Sequence, residues 1–209
     1  MASDYTLDGG RVGLDGASSI TWQEVCDTSV VDWVKTNKAI IAATCYSESH
    51  SPASESFKLR WRNATDGGSF ADLVTGSGEL RAGASAGCIT NTDPVGDECG
   101  CATYSVTDSE EVENETPLQT ASLAATGKDT NIETQWCVDF SNALDGKEYE
   151  FELYSVTDGS SLGTLSCSVT TQSFGSLDTL LGVSWDNVDV FMGIEDTSID
   201  EVMGVDTGE

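Results

Sequence analysis

The sequence predicts an all-β protein, a β-sandwich carrying an extended C-terminal arm. Three observations predict it: short runs alternate apolar and polar residues with period two, clusters of Gly, Ser, Thr, Asn and Asp separate those runs, and helical periodicity is scarce through most of the chain.

The clearest run is "FKLRWR", in which Phe57, Leu59 and Trp61 point one way and Lys58, Arg60 and Arg62 the other, because side chains alternate across a strand. A second is "YEFEL", with Tyr149, Phe151 and Leu153 inward and Glu150 and Glu152 outward. Sliding the chain by 92 residues superposes the two runs and the turns after them, so that Thr65-Asp66-Gly67 falls on Thr157-Asp158-Gly159. Asp-Gly reaches positive φ cheaply, so each copy reads as strand, tight turn, strand. Two hairpins sharing one core explain the repeat more simply than two tandem domains.

Further strands are expected at Ala39 to Tyr46, Ile132 to Phe140 and Thr164 to Thr171, with Leu59, Trp61, Trp136, Phe140, Phe151 and Leu153 in the core. Between Gly83 and Thr130 lies a Gly, Asp, Glu and Thr-rich excursion. It reads as an elaborated loop with one or two edge strands, because a structureless loop of that length is unusual in a compact domain. The expected organisation is an N-terminal arm over 1–19, whose "LDGGRVGLDG" looks like flexible or turn sequence, an Ig-like or related sandwich over 20–172 with the elaborated loop 83–130, and a repeat arm over 173–209.

Charge narrows the partners. Thirty-six Asp and Glu against nine Lys and Arg give a formal net charge of −27, which repels nucleic acid and anionic membrane. No apolar run approaches the roughly 20 residues of a membrane span, and the first residues lack a secretory pattern. Synthesis in the cytoplasm is the expectation, with neither nucleic acid nor membrane as partner. The acidity serves either solubility in a salty setting or a basic partner surface.

Enzymatic chemistry finds little footing. The seven cysteines are Cys26, Cys45, Cys88, Cys99, Cys101, Cys137 and Cys167, an odd set, so a complete disulfide framework is not expected. Cys88, Cys99 and Cys101 fail the paired Cys-x2-Cys spacing of a zinc ribbon, and a local disulfide or buried thiols fit them better. His50, the sole histidine, sits in a Ser and Pro-rich turn expected to face solvent. Carboxylate pairs carry no signal among so many, and the acidic turn Asp93 to Glu98 matches no calcium loop. No catalytic residue, metal site or cofactor is expected. The five tryptophans could stack on sugar, although Trp61 and Trp136 fall on core positions.

Two features point to assembly. Lys58, Arg60 and Arg62 gather a third of the basic residues on one face of one strand, and Glu148, Glu150 and Glu152 alternate likewise on the matching strand. A charge ladder between them is expected, within one chain or across a subunit boundary.

The second feature is the tail, where three 11-residue units follow one another: "LDTLLGVSWDN", "VDVFMGIEDTS" and "IDEVMGVDTGE". Leu177, Val188 and Ile199 open the units, Asp stands second and Gly sixth. Ser176, Asn187 and Ser198 precede them as N-caps, and Gly suits a helix stop, so each unit reads as one short helical turn with an extended connector. Turns so short cannot persist alone in water. Their apolar side chains, Leu180, Leu181, Phe191, Met192, Val202 and Met203, must bury against something, either the molecule's own sandwich or another subunit, and the second is the expectation, which makes the tail an assembly arm.

The strings "SFKLRWRNATDGGSFADLVTGSGEL" and "QWCVDFSNALDGKEYEFELYSVTDG", with the tail units, give the chain a resemblance to structural proteins of tailed-phage virions. The resemblance is to small β-sandwich proteins of the capsid decoration, cement or head-fibre type, and it covers about half the chain. It implies a non-enzymatic, homo-oligomeric protein at the virion surface, whose partners are the major capsid protein or other virion subunits. A capsid decoration or cement role is the first expectation. The alternative is a fibre or receptor-binding component that recognises a host glycan.

Overall fold

The computed structural model describes residues 4–16, 19–85, 98–113 and 117–173, and four two-residue strands beyond them. The described residues fold as all-β with two principal sheets and no helix. Residues 1–172 and 173–209 form two separate units.

In the first unit, β1 (Tyr5–Asp15), β2 (Ile20–Trp22), β4 (Lys38–Ser47) and β9 (Asn131–Asp139) form one sheet in the order β2-β1-β4-β9. Its far edge is shared by β7 (Arg81–Ala82), antiparallel to the end of β9, and β8 (Val106–Val112), parallel to its start. The second sheet runs β3-β11-β10-β5-β6, with β3 (Val30–Trp33), β5 (Phe57–Asn63), β6 (Ala71–Asp72), β10 (Glu148–Ser155) and β11 (Ser160–Thr171).

One hydrophobic core lies between the sheets. Period-two alternation feeds it: Ala39, Ile41, Ala43 and Cys45 from β4 and Ile132, Trp136 and Val138 from β9 meet Phe57 and Leu59, Tyr149, Phe151 and Leu153, and Leu165, Cys167 and Val169. Each such aliphatic or aromatic side chain contributes roughly 1.5–3 kcal/mol on burial. Trp33, Phe140, Tyr149 and Trp61 form a chain of tilted and edge-on ring contacts, each with centroids 5.9 Å apart. Of the six expected core residues only Trp61 is partly rather than fully buried.

The expected strands appear as β4, β5, β9, β10 and β11. The two repeated runs are the adjacent antiparallel strands β5 and β10, and their turns carry Gly67 at φ +72° and Gly159 at φ +65°. Asn63 Oδ1 accepts from the Asp66 amide in one turn, and Ser155 Oγ from the Asp158 amide in the other. The repeat is therefore a pair of hairpins in one sheet.

The N-terminal arm is corrected. Residues 5–15 are not an arm but a strand inside the first sheet, hydrogen-bonded to β4 on one side and β2 on the other. Its glycines mark close approach rather than flexibility, since a Cβ at Gly10 would lie 3.0 Å from Leu165 Cδ2 and 3.1 Å from the Ala42 carbonyl oxygen.

Residues 98–105 run as a strap over the outer face of the first sheet. Cys101 is disulfide-bonded to Cys26, 75 residues away, with Cα atoms 5.3 Å apart. Arg11 Nη1 donates to the Cys99 carbonyl at 2.9 Å, Thr103 Oγ1 to Asp8 at 2.7 Å, and the Tyr104 amide to Asn131 Oδ1 at 3.1 Å. The outward residue Glu133 of β9 is buried beside the strap, where its carboxylate accepts from the Cys99 amide at 3.4 Å. Of the expected loop 83–130, β8 is an edge strand, and residues 117–126 close the gap to β5, where the Thr120 amide donates to the Phe57 carbonyl and Thr120 Oγ1 accepts from the Phe57 amide.

In the second unit the described residues are strand pairs: β12 (Thr179–Leu180) with β13 (Val183–Ser184), and β14 (Val190–Phe191) with β15 (Ile194–Glu195), both antiparallel. This replaces the helical turns expected in the first two units. Leu180 pairs with Val183 and Phe191 with Ile194, leaving two residues between the partners, Leu-Gly in one unit and Met-Gly in the next. Gly in a two-residue connection is a hairpin signal as well as a helix stop, and the β-branched Val183, Val190 and Ile194 favour strands. The third unit lies outside the described residues.

Candidate functional site

The charge ladder follows from the register of β5 on β10, which sets Arg62 opposite Glu150, Arg60 opposite Glu152 and Lys58 opposite Tyr154. Alternation turns Phe57 and Leu59 into the core and leaves the cations on the outer face of the sheet. Arg60 Nη1 lies 2.7 Å from Glu152 Oε2, and Arg62 Nε donates to Glu150 Oε2 at 2.7 Å. Lys58 Nζ reaches Asp72 Oδ2 at 2.6 Å, and Arg60 Nε lies 3.3 Å from the other oxygen of the same carboxylate. Glu148 stands apart from the cations and accepts from Ser168 Oγ at 2.7 Å.

Aromatic rings support the cations from beside. Lys58 Nζ and Arg60 Cζ lie 4.8 and 5.1 Å from the Tyr154 ring centroid, and Arg62 Cζ lies 4.8 Å from that of Phe70. Such contacts suit a guanidinium's weakly hydrated faces. The sequence did not point to Asp72, Phe70 and Tyr154 as partners of the cations. Tyr154 was within reach of it, since it follows Glu152 by two on the same face. Asp72 and Phe70 depend on where the turn after β5 returns the chain.

The ladder is thus closed within one chain. Of the nine basic residues, six make ion pairs with carboxylates of the chain, Arg60 and Arg62 among them, while Arg11 and Lys38 donate to backbone carbonyls and Lys128 is exposed.

The expected arm anchors divide. Leu180 and Phe191 fall on β12 and β14. Leu177, Leu181, Val188, Met192, Ile199, Val202 and Met203 lie outside the described residues, as do Cys88 and the acidic turn from Asp93 to Asp97.

Among the described residues no group of three His, Cys, Asp or Glu side chains could hold a metal ion. Cys101 is spent in a disulfide, and His50 is exposed. Cys45 and Cys167 are buried thiols, and burial pushes both up, Cys167 to about 12, with Asp27 adding to the effect. Such thiols are poor nucleophiles at neutral pH. Asn63, which opens the string Asn63-Ala64-Thr65, is buried and donates to Asp66 at 3.0 Å, a structural role.

The fold and these sites define a class, an all-β protein of two sheets sharing one core, followed by a repeat unit of paired strands. No family model, no curated protein and no solved structure matches the chain.

Proposed function

We propose that this chain is a virion structural protein of the capsid decoration or cement type, an Ig-like or related β-sandwich that joins the particle through its C-terminal arm. The observation that carries the reading is the tail. Two strand pairs recur at an 11-residue spacing, Leu180 with Val183 and Phe191 with Ile194, in a unit separate from the first. Two-stranded hairpins are marginal in water, and strands of two residues fall below even that limit. A repeat of such pieces, with the same apolar positions kept in each copy, gains stability from a surface it can bury against. A shell or a neighbouring subunit supplies that surface, and binding the assembled state stabilises the particle by mass action. The virion setting rests on the resemblance of the sequence.

The charge reading agrees with this role. Almost every cation is used inside the chain, so the outward field is acidic and suits a solvent-facing coat. Counting copies in purified particles tests the role: copies in the hundreds support decoration, whereas a handful places the protein in a tail or fibre.

A further inference from the structure

We propose that the outer face of the second sheet is a self-complementary contact face, and that its occupant is a second copy of this chain related by a two-fold axis. The inference deepens the assembly reading and rests on it.

The face carries two parallel columns of opposite charge on neighbouring strands, Arg60 and Arg62 on β5 and Glu152 and Glu150 on β10. A dyad lying in the contact plane, parallel to the strands and midway between the columns, exchanges them. Each cation column of one copy then lies over the carboxylate column of the other, and the match is made twice because a two-fold contact is isologous. Among two-fold axes lying in the contact plane, only one parallel to the strands sets both columns against their opposites at once.

Local charge permits the approach. The chain carries −27, yet on this face Lys58, Arg60 and Arg62 meet Asp72, Glu148, Glu150 and Glu152, three against four, so the face carries little of the excess. A second acidic copy is repelled least here. The cation heads are also held before any partner arrives: Arg60 is fixed between Glu152, Asp72 and the Tyr154 ring, and Arg62 between Glu150 and Phe70. Less side-chain freedom is therefore lost on docking. Three of the four side chains keep appreciable exposure, 25% for Arg60, 38% for Arg62 and 26% for Glu150, while Glu152 at 10% is held beneath its own Arg60. Beside the carboxylate column, β11 presents the exposed small residues Ser161, Thr164 and Ser166, which put no bulk in the way of a flat partner.

The test uses the full chain at about 150 mM salt, where screening beyond roughly 8 Å weakens the long-range repulsion but not contact pairs. Two double variants are made, Arg60→Glu with Arg62→Glu, and Glu150→Arg with Glu152→Arg. Cooperative thermal unfolding confirms that each folds, and native mass spectrometry and sedimentation read the oligomeric state. Wild type is expected to dimerise, each variant alone to be monomeric, and the equimolar mixture to form a heterodimer, because an all-acidic face then meets an all-basic one. A mixture without heterodimer, or a wild-type dimer that both variants retain, overturns the proposal. Should either variant not fold, Lys58→Glu stands in, since its ammonium pairs with the exposed Asp72 and its loss spares both Arg–Glu pairs; about a tenfold weaker dimer is expected, and an unchanged one overturns the proposal. The tail is intact in every variant, so particle binding through the arm is read separately from this dimer.

Discussion

Arg60 on β5 and Glu152 on β10 stand directly opposite one another, 92 residues apart in sequence, with Nη1 2.7 Å from Oε2 and the Glu152 side chain only 10% exposed. The pair joins the two repeated hairpins at their seam. Arg60→Glu is expected to destabilise the fold, and Arg60→Glu with Glu152→Arg to recover part of the loss, with a coupling of about 0.2–1 kcal/mol. Urea unfolding of the four-member cycle measures it, and strictly additive losses contradict a direct pair.

The Cys26–Cys101 disulfide closes a 75-residue separation and fastens the strap over β1 and β9. Cys26→Ser is expected to cost roughly 2–4 kcal/mol, since the open chain regains loop entropy when unfolded. Reduction of the wild type should give a similar loss and leave Cys26→Ser unchanged, as chemical unfolding with and without reductant will show.

Much of the fold was legible in the sequence, because β5, β9, β10 and β11 each face the core on one side and alternate accordingly. β1 was not legible, for a physical reason. Gly10 lies where the strand passes close to Leu165 and Ala42, so the apolar side chains that mark a strand are replaced by none. β8 hides behind Asp108, Glu110 and Glu111, and Glu133 breaks the apolar pattern of β9 although it is buried, since its carboxylate accepts from the Cys99 amide of the strap rather than facing solvent. A disulfide between positions so distant leaves no local signal. In the tail the repeat was visible, but x-Gly after an apolar pair serves a helix end and a hairpin equally, and pairing between strands decided it.

Gly10 gives the sharpest packing prediction. Gly10→Ala puts a methyl 3.0 Å from Leu165 Cδ2, 3.1 Å from the Ala42 carbonyl oxygen and 3.2 Å from Cys167 Sγ. A loss of roughly 1–3 kcal/mol is expected from overpacking. An Ala variant as stable as wild type in urea contradicts the close approach.

Asp139 on β9 sets an acid-side dependence. Burial raises its pKa, but the Ser141 amide at 2.8 Å and Arg81 at 2.9 Å outweigh it and hold the carboxyl below its usual value. A lowered folded pKa gives stability that is present above the unfolded value, about 3.9, and lost as pH falls through the folded one. Asp139→Asn is therefore expected to be less stable than wild type by a constant amount near neutrality, about 1 kcal/mol given the exposure of Arg81. The gap should begin to close below about pH 4. A gap that instead widens with acid contradicts the assignment.

The tail is proposed to be an assembly arm. Its most direct test is a chain ended after Gly175, compared with the full chain for binding to particles that lack the protein. The truncated chain is expected to keep the same cooperative unfolding of its first unit and to lose particle binding, and Phe191→Asp to reproduce much of the loss by placing a charge where an apolar contact is needed. Truncated protein that binds particles as tightly as the full chain contradicts it.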